Sequence, residues 1–303
     1  MNLIETNELC KKYGSNMVIN HVNMHVPEKS IYGFVGENGS GKTTIMRLIT
    51  GLAEVTSGGF SLFGIVNTDH KIHSTRKQIS AIVETASLVP SLNALQNMRY
   101  QELYEGIKLT SEERMELLKK VHLEHVGNKK VKNFSLGMKQ RLAIALALMN
   151  KPKLMFLDEP MNGLDPEGIA ELRELLIELN QRDGITVLIS SHILSELEKI
   201  ATHYGFISHG VLLEEISTEE LQNRCRKSLD IKVNDLEKTK DVLAKLNLKE
   251  IAVFPNGEIK IYDEIKIYEV VSALEKAGIE LLGINTNDES VEEYYLNLVK
   301  GGK

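Results

Sequence analysis

The sequence predicts an α/β domain with an antiparallel β margin and an inserted helical subdomain, followed by a small α+β domain. Three observations carry this reading. The runs IYGFVG, KLMFLDEP and TVLISS are short, apolar and end in polar turns, as strands buried on both faces of a parallel sheet do. The earlier segments LIETNEL and HVNMHV alternate apolar with polar residues, the pattern of antiparallel strands with one wet face. Over about residues 85–150 the strand signals give way to helical periods such as EERMELLKKVHLEHV, which reads as a helical insert in the sheet.

The 303 residues, 42% apolar and 26% charged, suffice for a domain of about 200 residues with a small appendage. The character changes after Thr218. SLDIKV, EIAVF, EIKIY and IELLGI read as strands, with helices at LEKTKDVLAKL, EVVSALEKAG and SVEEYYLNLV. A boundary near residue 222 thus separates a first domain, 1–222, from a β-α-β-β-α-β-α domain, 223–303, in which Pro255-Asn256-Gly257 is a hairpin-turn signal. The second domain carries no catalytic constellation and reads as a docking or stabilising module.

The net charge is −6, and no Lys/Arg block is long enough to track a phosphate backbone, so nucleic acid is not expected as a partner. Lys129, Lys130 and Lys132 read as a solvated loop. Cys10 and Cys225 lie far apart without metal-ligand spacing, which fits a reducing compartment. The N-terminus has acidic residues where a secretory signal needs an apolar core, and the longest dense apolar run, Leu142 to Met149, is far shorter than a membrane span. Any connection to a membrane is therefore expected to run through a partner.

The chemistry begins at GFVGENGSGKTTIM, where Gly36, Gly41, Lys42 and Thr43 stand in the spacing G-x-x-x-x-G-K-[ST], after a strand and before a helical stretch. Glycines allow a loop whose backbone N–H groups point inward at phosphate oxygens, and the helix N-terminus adds its positive end. Asn38, Gly39, Ser40 and Thr44 complete the expected nucleotide-binding set. Lys42 is expected to reach the β- and γ-phosphates, and the Thr43 hydroxyl to ligate Mg²⁺. The strand KLMFLDEP supplies Asp158, suited to hold Mg²⁺ through its water shell. Glu159, next in line at the sheet's C-terminal edge, is suited to orient or deprotonate an attacking water.

With NFSLGMKQRLAIALALM the chain resembles the ATP-binding cassette (ABC) ATPases over about residues 1–222. The segment is similar to the family signature, usually Leu-Ser-Gly-Gly-Gln, through Ser135 and Gly137, with Leu136 and Met138 departing from it. The resemblance implies that Ser135 and Gly137 bind the γ-phosphate of ATP held by an opposite subunit. Such a contact uses a hydroxyl, an open N–H and a helix N-terminus. It further implies that His192 senses the γ-phosphate, that Asp165 lies in an inter-subunit loop, and that Tyr13 stacks on adenine.

Most ABC ATPases have glutamine where this chain has Glu84, at a position that touches Mg²⁺ and links the site to the helical subdomain. Glutamate there, with Ser-Leu-Gly-Met-Lys-Gln, resembles the subgroup that serves bacitracin-resistance and lantibiotic self-protection exporters. The resemblance implies an ATPase with ATP and Mg²⁺ that works as a pair, drives a separate membrane permease and lies at the cytoplasmic face of the membrane. The alternative is a soluble ABC ATPase with a mechanical or regulatory role in translation or DNA maintenance. Those proteins usually carry two cassettes or long coiled coils, whereas this chain has one cassette and no sustained heptads.

Overall fold

Alternating residues at the start of the chain form β1 (Asn2–Tyr13), β2 (Asn16–Val22) and β3 (His25–Pro27), with β1 antiparallel to both others. These and the elements below come from a computed structural model that describes residues 1–83, 87–225, 227–246, 248, 250–254, 257–287 and 290–301. The apolar run that follows becomes β4 (Ile31–Val35), buried throughout, and the glycine-rich loop leads from it into α1 (Lys42–Thr50). β5 (Ser57–Leu62) and β6 (Ile65–Val66) complete the antiparallel sheet in the order β2-β1-β5-β6, with β3 also on β1. A short α2 (Ile72–Thr75) then precedes β7 (Ile79–Ile82).

The helical insert contains α3 (Ala94–Glu105), α4 (Ser111–Lys120) and α5 (Leu136–Leu148). α3 and α4 each open on a capping box, Asn93 with Gln96 and Thr110 with Glu113, in which two end N–H groups are satisfied reciprocally. A fork of two hydrogen bonds from Arg114 to Glu102, at 2.5 and 2.8 Å, ties α4 to α3. This contact holds the Glu102 carboxyl below its usual range, against the opposing effect of burial.

The chain then returns to the sheet through β8 (Leu154–Asp158), α6 (Pro166–Gln181), β9 (Thr186–Ser191), the single turn α7 (Leu194–Leu197), β10 (His203–Ser208) and β11 (Val211–Ser217). The second sheet has the order β11-β10-β4-β9-β8-β7, parallel except for β11. Its central strands are covered on both faces, which is why they lack alternation. One core joins Leu9 and Ile19 of the antiparallel sheet, Ile45, Met46 and Leu48 of α1, and Phe34, Phe156 and Leu188 of the parallel sheet. The helix behind the glycine loop is thereby wedged between two sheets, which fixes the direction of its N-terminus. The sheets are also joined where the Tyr32 hydroxyl donates to Glu215, whose carboxylate accepts from the His25 backbone N–H.

The chain divides into two units between Thr218 and Glu219, at the start of α8 (Thr218–Arg224). The second unit contains β12 (Ser228–Val233), α9 (Leu236–Ala244), β13 (Ile251–Val253), β14 (Glu258–Ile261), α10 (Ile267–Lys276), β15 (Leu281–Asn287) and α11 (Val291–Gly301). Its antiparallel sheet runs β13-β14-β12-β15, the ferredoxin-like split arrangement, over a separate core that includes Ile231, Leu243, Ile259, Ile261 and Val270. Of the hairpin signal between β13 and β14, Pro255 and Asn256 lie outside the described residues, while Gly257 takes a left-handed φ of 87°. Among the described residues, no helix is long and apolar enough to cross a membrane.

Candidate functional site

The glycine loop packs tightly against β10 and its own Ser40 side chain. A Cβ on Gly36 would lie 2.4 Å from the Ile207 carbonyl oxygen and 2.5 Å from Ser40 Oγ, so no other residue fits there. Gly41 caps α1 in a left-handed conformation, φ 112°, without a side-chain hydrogen bond to the helix end. The first N–H groups of α1 therefore have no capping side chain and remain available to an anion. Ser40 Oγ is buried without a hydrogen-bond partner among the described residues. Asn38 and Gly39 are exposed at the loop's tip, and Thr44 is half-buried in the first turn of α1. A cradle that excludes side chains, open helix N–H groups and an orphaned buried hydroxyl together fit a bound phosphate chain.

Lys42 is buried, and its ammonium donates to the Gly36 and Glu37 carbonyls at 2.5 and 3.1 Å. It lies 3.6 Å from Glu159 Oε1. Burial pushes the Lys42 ammonium below its usual range, while the Glu159 and Asp158 carboxylates work in the opposite direction. The amine is thus held over the loop by weak neutral acceptors and one carboxylate, all of which a triphosphate can replace.

Thr43 and Asp158 meet as the motifs require, the threonine hydroxyl donating to Asp158 Oδ2 at 2.7 Å. Two hard oxygen donors this close, at the end of a parallel strand and beside a phosphate cradle, suit a divalent cation that keeps most of its other sites for water and phosphate. The other Asp158 oxygen, Oδ1, accepts from the Ser190 hydroxyl at 2.6 Å, and Ser190 Oγ in turn accepts from the Glu159 backbone N–H at 2.9 Å.

Glu159 leaves β8 with a left-handed φ of 49°, a conformation that costs a non-glycine residue on the order of 1–2 kcal/mol. The turn sends its carboxylate toward two partners, Lys42 and His192, whose Nδ1 lies 2.8 Å from Glu159 Oε2. Glu159 Oε1 is buried and has no hydrogen-bond partner among the described residues. An acceptor kept dry and incompletely satisfied beside a phosphate cradle is suited to take a hydrogen bond from water. His192 is presented just past β9 by a small turn in which the Ile193 N–H donates to Ser191 Oγ.

Ser135, Gly137 and Asp165 form a second group. Ser135 caps α5 by accepting from the Met138 N–H, and Asp165 caps α6 by accepting from the Gly168 N–H. The helix starts adjoin, since a Cβ on Gly137 would stand 3.8 Å from Gly168 Cα. Leu136 is half exposed. Among the described residues, no hydrogen bond or ion pair links Ser135, Gly137 or Asp165 to Lys42, Glu159 or His192. Tyr13 ends β1 half exposed, with the Lys11 ammonium 4.6 Å from its ring centroid over one face. Glu84 lies outside the described residues.

Ser190 is the site residue that motif reasoning overlooked. The available signal was its polarity: in TVLISS, two serines end an otherwise apolar strand.

The comparisons with known proteins agree with this geometry. The ABC transporter family profile matches residues 19–162. The chain is 40% identical to the bacitracin transport ATP-binding protein BcrA of Bacillus licheniformis, over 99% of this chain and 98% of that one. It is 42% identical to the lantibiotic transport ATP-binding protein SrtF of Streptococcus pyogenes, over 73% of this chain and 93% of that one. Among solved structures, a bacterial ABC transporter cassette in dimeric form superposes with a TM-score of 0.63 at 26% identity, covering 71% of this chain and 98% of the cassette. A phosphate cradle, a strand-end carboxylate pair and a histidine on the neighbouring strand thus occur in a chain that matches BcrA along nearly its whole length: it belongs to the ABC transporter family, as an ATP-binding and ATP-hydrolysing subunit.

Proposed function

We propose that this chain powers export of a peptide antibiotic or related compound, acting as a pair of ATPase domains on the cytoplasmic face of the membrane beneath a separate permease. The observation that carries this reading is the match to BcrA over 99% of the chain, which takes in the second unit as well as the cassette. The match to SrtF supports the same class of cargo.

In this reading Lys42 and the glycine-loop N–H groups bind the β- and γ-phosphates, and Tyr13 stacks on the adenine. Thr43 and Asp158, together with Glu84 as the family resemblance implies, would hold Mg²⁺, which when bound supplies charge neutralisation on the phosphates. Glu159 accepts a proton from a water whose oxygen bonds to the γ-phosphorus as the bond to the bridging oxygen breaks. His192 fixes the Glu159 carboxylate and donates toward the γ-phosphate. Ser135, Gly137 and Asp165 serve the nucleotide of the opposite copy. This accounts for their separation from Lys42 and Glu159, and the solved cassette dimer supports it.

The test is genetic and biochemical. Deleting the gene should raise sensitivity to bacitracin or a lantibiotic, and the intact chain, but not Lys42→Ala, should restore tolerance. Sensitivity that is unchanged for every peptide antibiotic tried would reject the export reading.

A further inference from the structure

Ser190 occupies an unusual place in the parallel sheet. The register pairs Ser190 with Asp158 on one side and with Phe34 on the other, and the serine is completely buried. β8 ends at Asp158, so the Glu159 N–H has no further rung of the ladder to join. The Ser190 hydroxyl takes that place by accepting from Glu159 N at 2.9 Å, and it donates its only proton to Asp158 Oδ1 at 2.6 Å. A hydroxyl has one proton and a backbone N–H cannot accept, so the direction of both bonds is fixed.

We propose that Ser190 is a positioning residue for hydrolysis, acting through Asp158 and Glu159 together. Its bond to Oδ1 sets the plane of the Asp158 carboxylate and leaves Oδ2 directed at Thr43 Oγ1, 2.7 Å away, where the cation is expected. Its bond from the Glu159 N–H supports the left-handed turn, φ 49°, that sends this carboxylate toward Lys42 and His192. One buried oxygen therefore couples the residue expected to hold the metal to the residue expected to activate water. Without it, both groups lose a hydrogen-bonded anchor that they share. This rests on the ATPase reading and assigns a residue that the cassette motifs do not include.

The experiment compares Ser190→Ala, Ser190→Thr and Ser190→Val in the full chain, the last two matched in size and differing in the hydroxyl. The rate is measured against ATP and against Mg²⁺, and binding of a fluorescent ATP analogue is titrated with Mg²⁺ in the absence of turnover. Ser190→Ala and Ser190→Val should lower kcat about 10- to 100-fold and move the Mg²⁺ titration of the bound analogue to higher concentration. The KM for ATP at saturating Mg²⁺, and analogue binding without Mg²⁺, should change less than about three-fold. Ser190→Thr should recover most of both losses.

Equal behaviour of the threonine and valine variants, or an unchanged Mg²⁺ titration in Ser190→Ala, would overturn the assignment. Loss of analogue binding without Mg²⁺ in step with kcat would overturn it too, by making the effect one of folding. Absence of Mg²⁺-dependent hydrolysis in the unsubstituted protein would instead strike at the ATPase reading and leave the anchoring geometry aside.

Discussion

Nδ1 of His192 lies 2.8 Å from Oε2 of Glu159, while the other oxygen of that carboxylate lies 3.6 Å from the Lys42 ammonium. The glutamate is therefore braced from two sides by groups whose natural counterion is a phosphate.

Replacing Glu159 by Gln keeps the shape of the side chain but removes the proton acceptor. Turnover should fall at least about 100-fold while ATP stays bound. His192→Ala removes one brace, and kcat should fall by about 100-fold with a smaller change in KM. Steady-state kinetics and nucleotide retention on a desalting column check both outcomes.

The cap at Ser135 allows its structural role to be separated from its expected phosphate contact. Aspartate caps helices as well as serine does, so Ser135→Asp should leave the melting temperature nearly unchanged. It also places a negative charge where the γ-phosphate of the second copy is expected. In a Glu159→Gln background, ATP should convert the protein to a dimer on a sizing column, and adding Ser135→Asp should leave it monomeric with ATP still bound. A persistent dimer would refute the composite site.

Tyr13 carries the Lys11 ammonium over one face, 4.6 Å from its ring centroid, and is half exposed at the end of β1, where adenine is expected to stack. Stacking on an aromatic side chain is worth about 1–3 kcal/mol per base, so Tyr13→Ala should weaken ATP binding by roughly 5- to 150-fold. Tyr13→Phe should bind ATP nearly as well as tyrosine. Fluorescent-nucleotide titrations distinguish the two.

The Arg114–Glu102 fork between α4 and α3 gives the helical subdomain a pH dependence. Glu102 is held below its ordinary value of 4.5 in the folded chain, so its contribution is fully present above about pH 4.5 and is lost as the pH falls through the lowered value. Glu102→Ala should cost about 2 kcal/mol at neutral pH. The difference in unfolding free energy between the two proteins should shrink as the medium is acidified, which chemical denaturation at a series of pH values measures.

Much of this site is legible in the sequence because its parts are local. The spacing of Gly36, Gly41 and Lys42, and the apolar run that ends at Asp158 and Glu159, each lie within one strand–loop–helix passage. Three other features are not legible. The left-handed φ of Glu159 has no signature in composition, because a non-glycine residue adopts it only when its surroundings compel it. The role of Ser190 depends on which residue of β9 stands opposite Asp158, and register is decided by tertiary packing. The cover of Lys11 over Tyr13 arises from two side chains on one strand and carries no sequence pattern.

The row Phe34, Ser190 and Asp158 across β4, β9 and β8 works as a ruler. One step along a parallel strand is about 3.3 Å, several times the latitude of a hydrogen bond, so a slip of a single residue leaves no partially working arrangement. Chemistry in this cassette is consequently all-or-none with respect to sheet alignment. Side chains that do nothing but stop β8 from sliding along β9 deserve the same protection in any engineering of the enzyme as those that touch nucleotide, and a protein heated until those strands begin to slip should lose hydrolysis before it loses its grip on ATP.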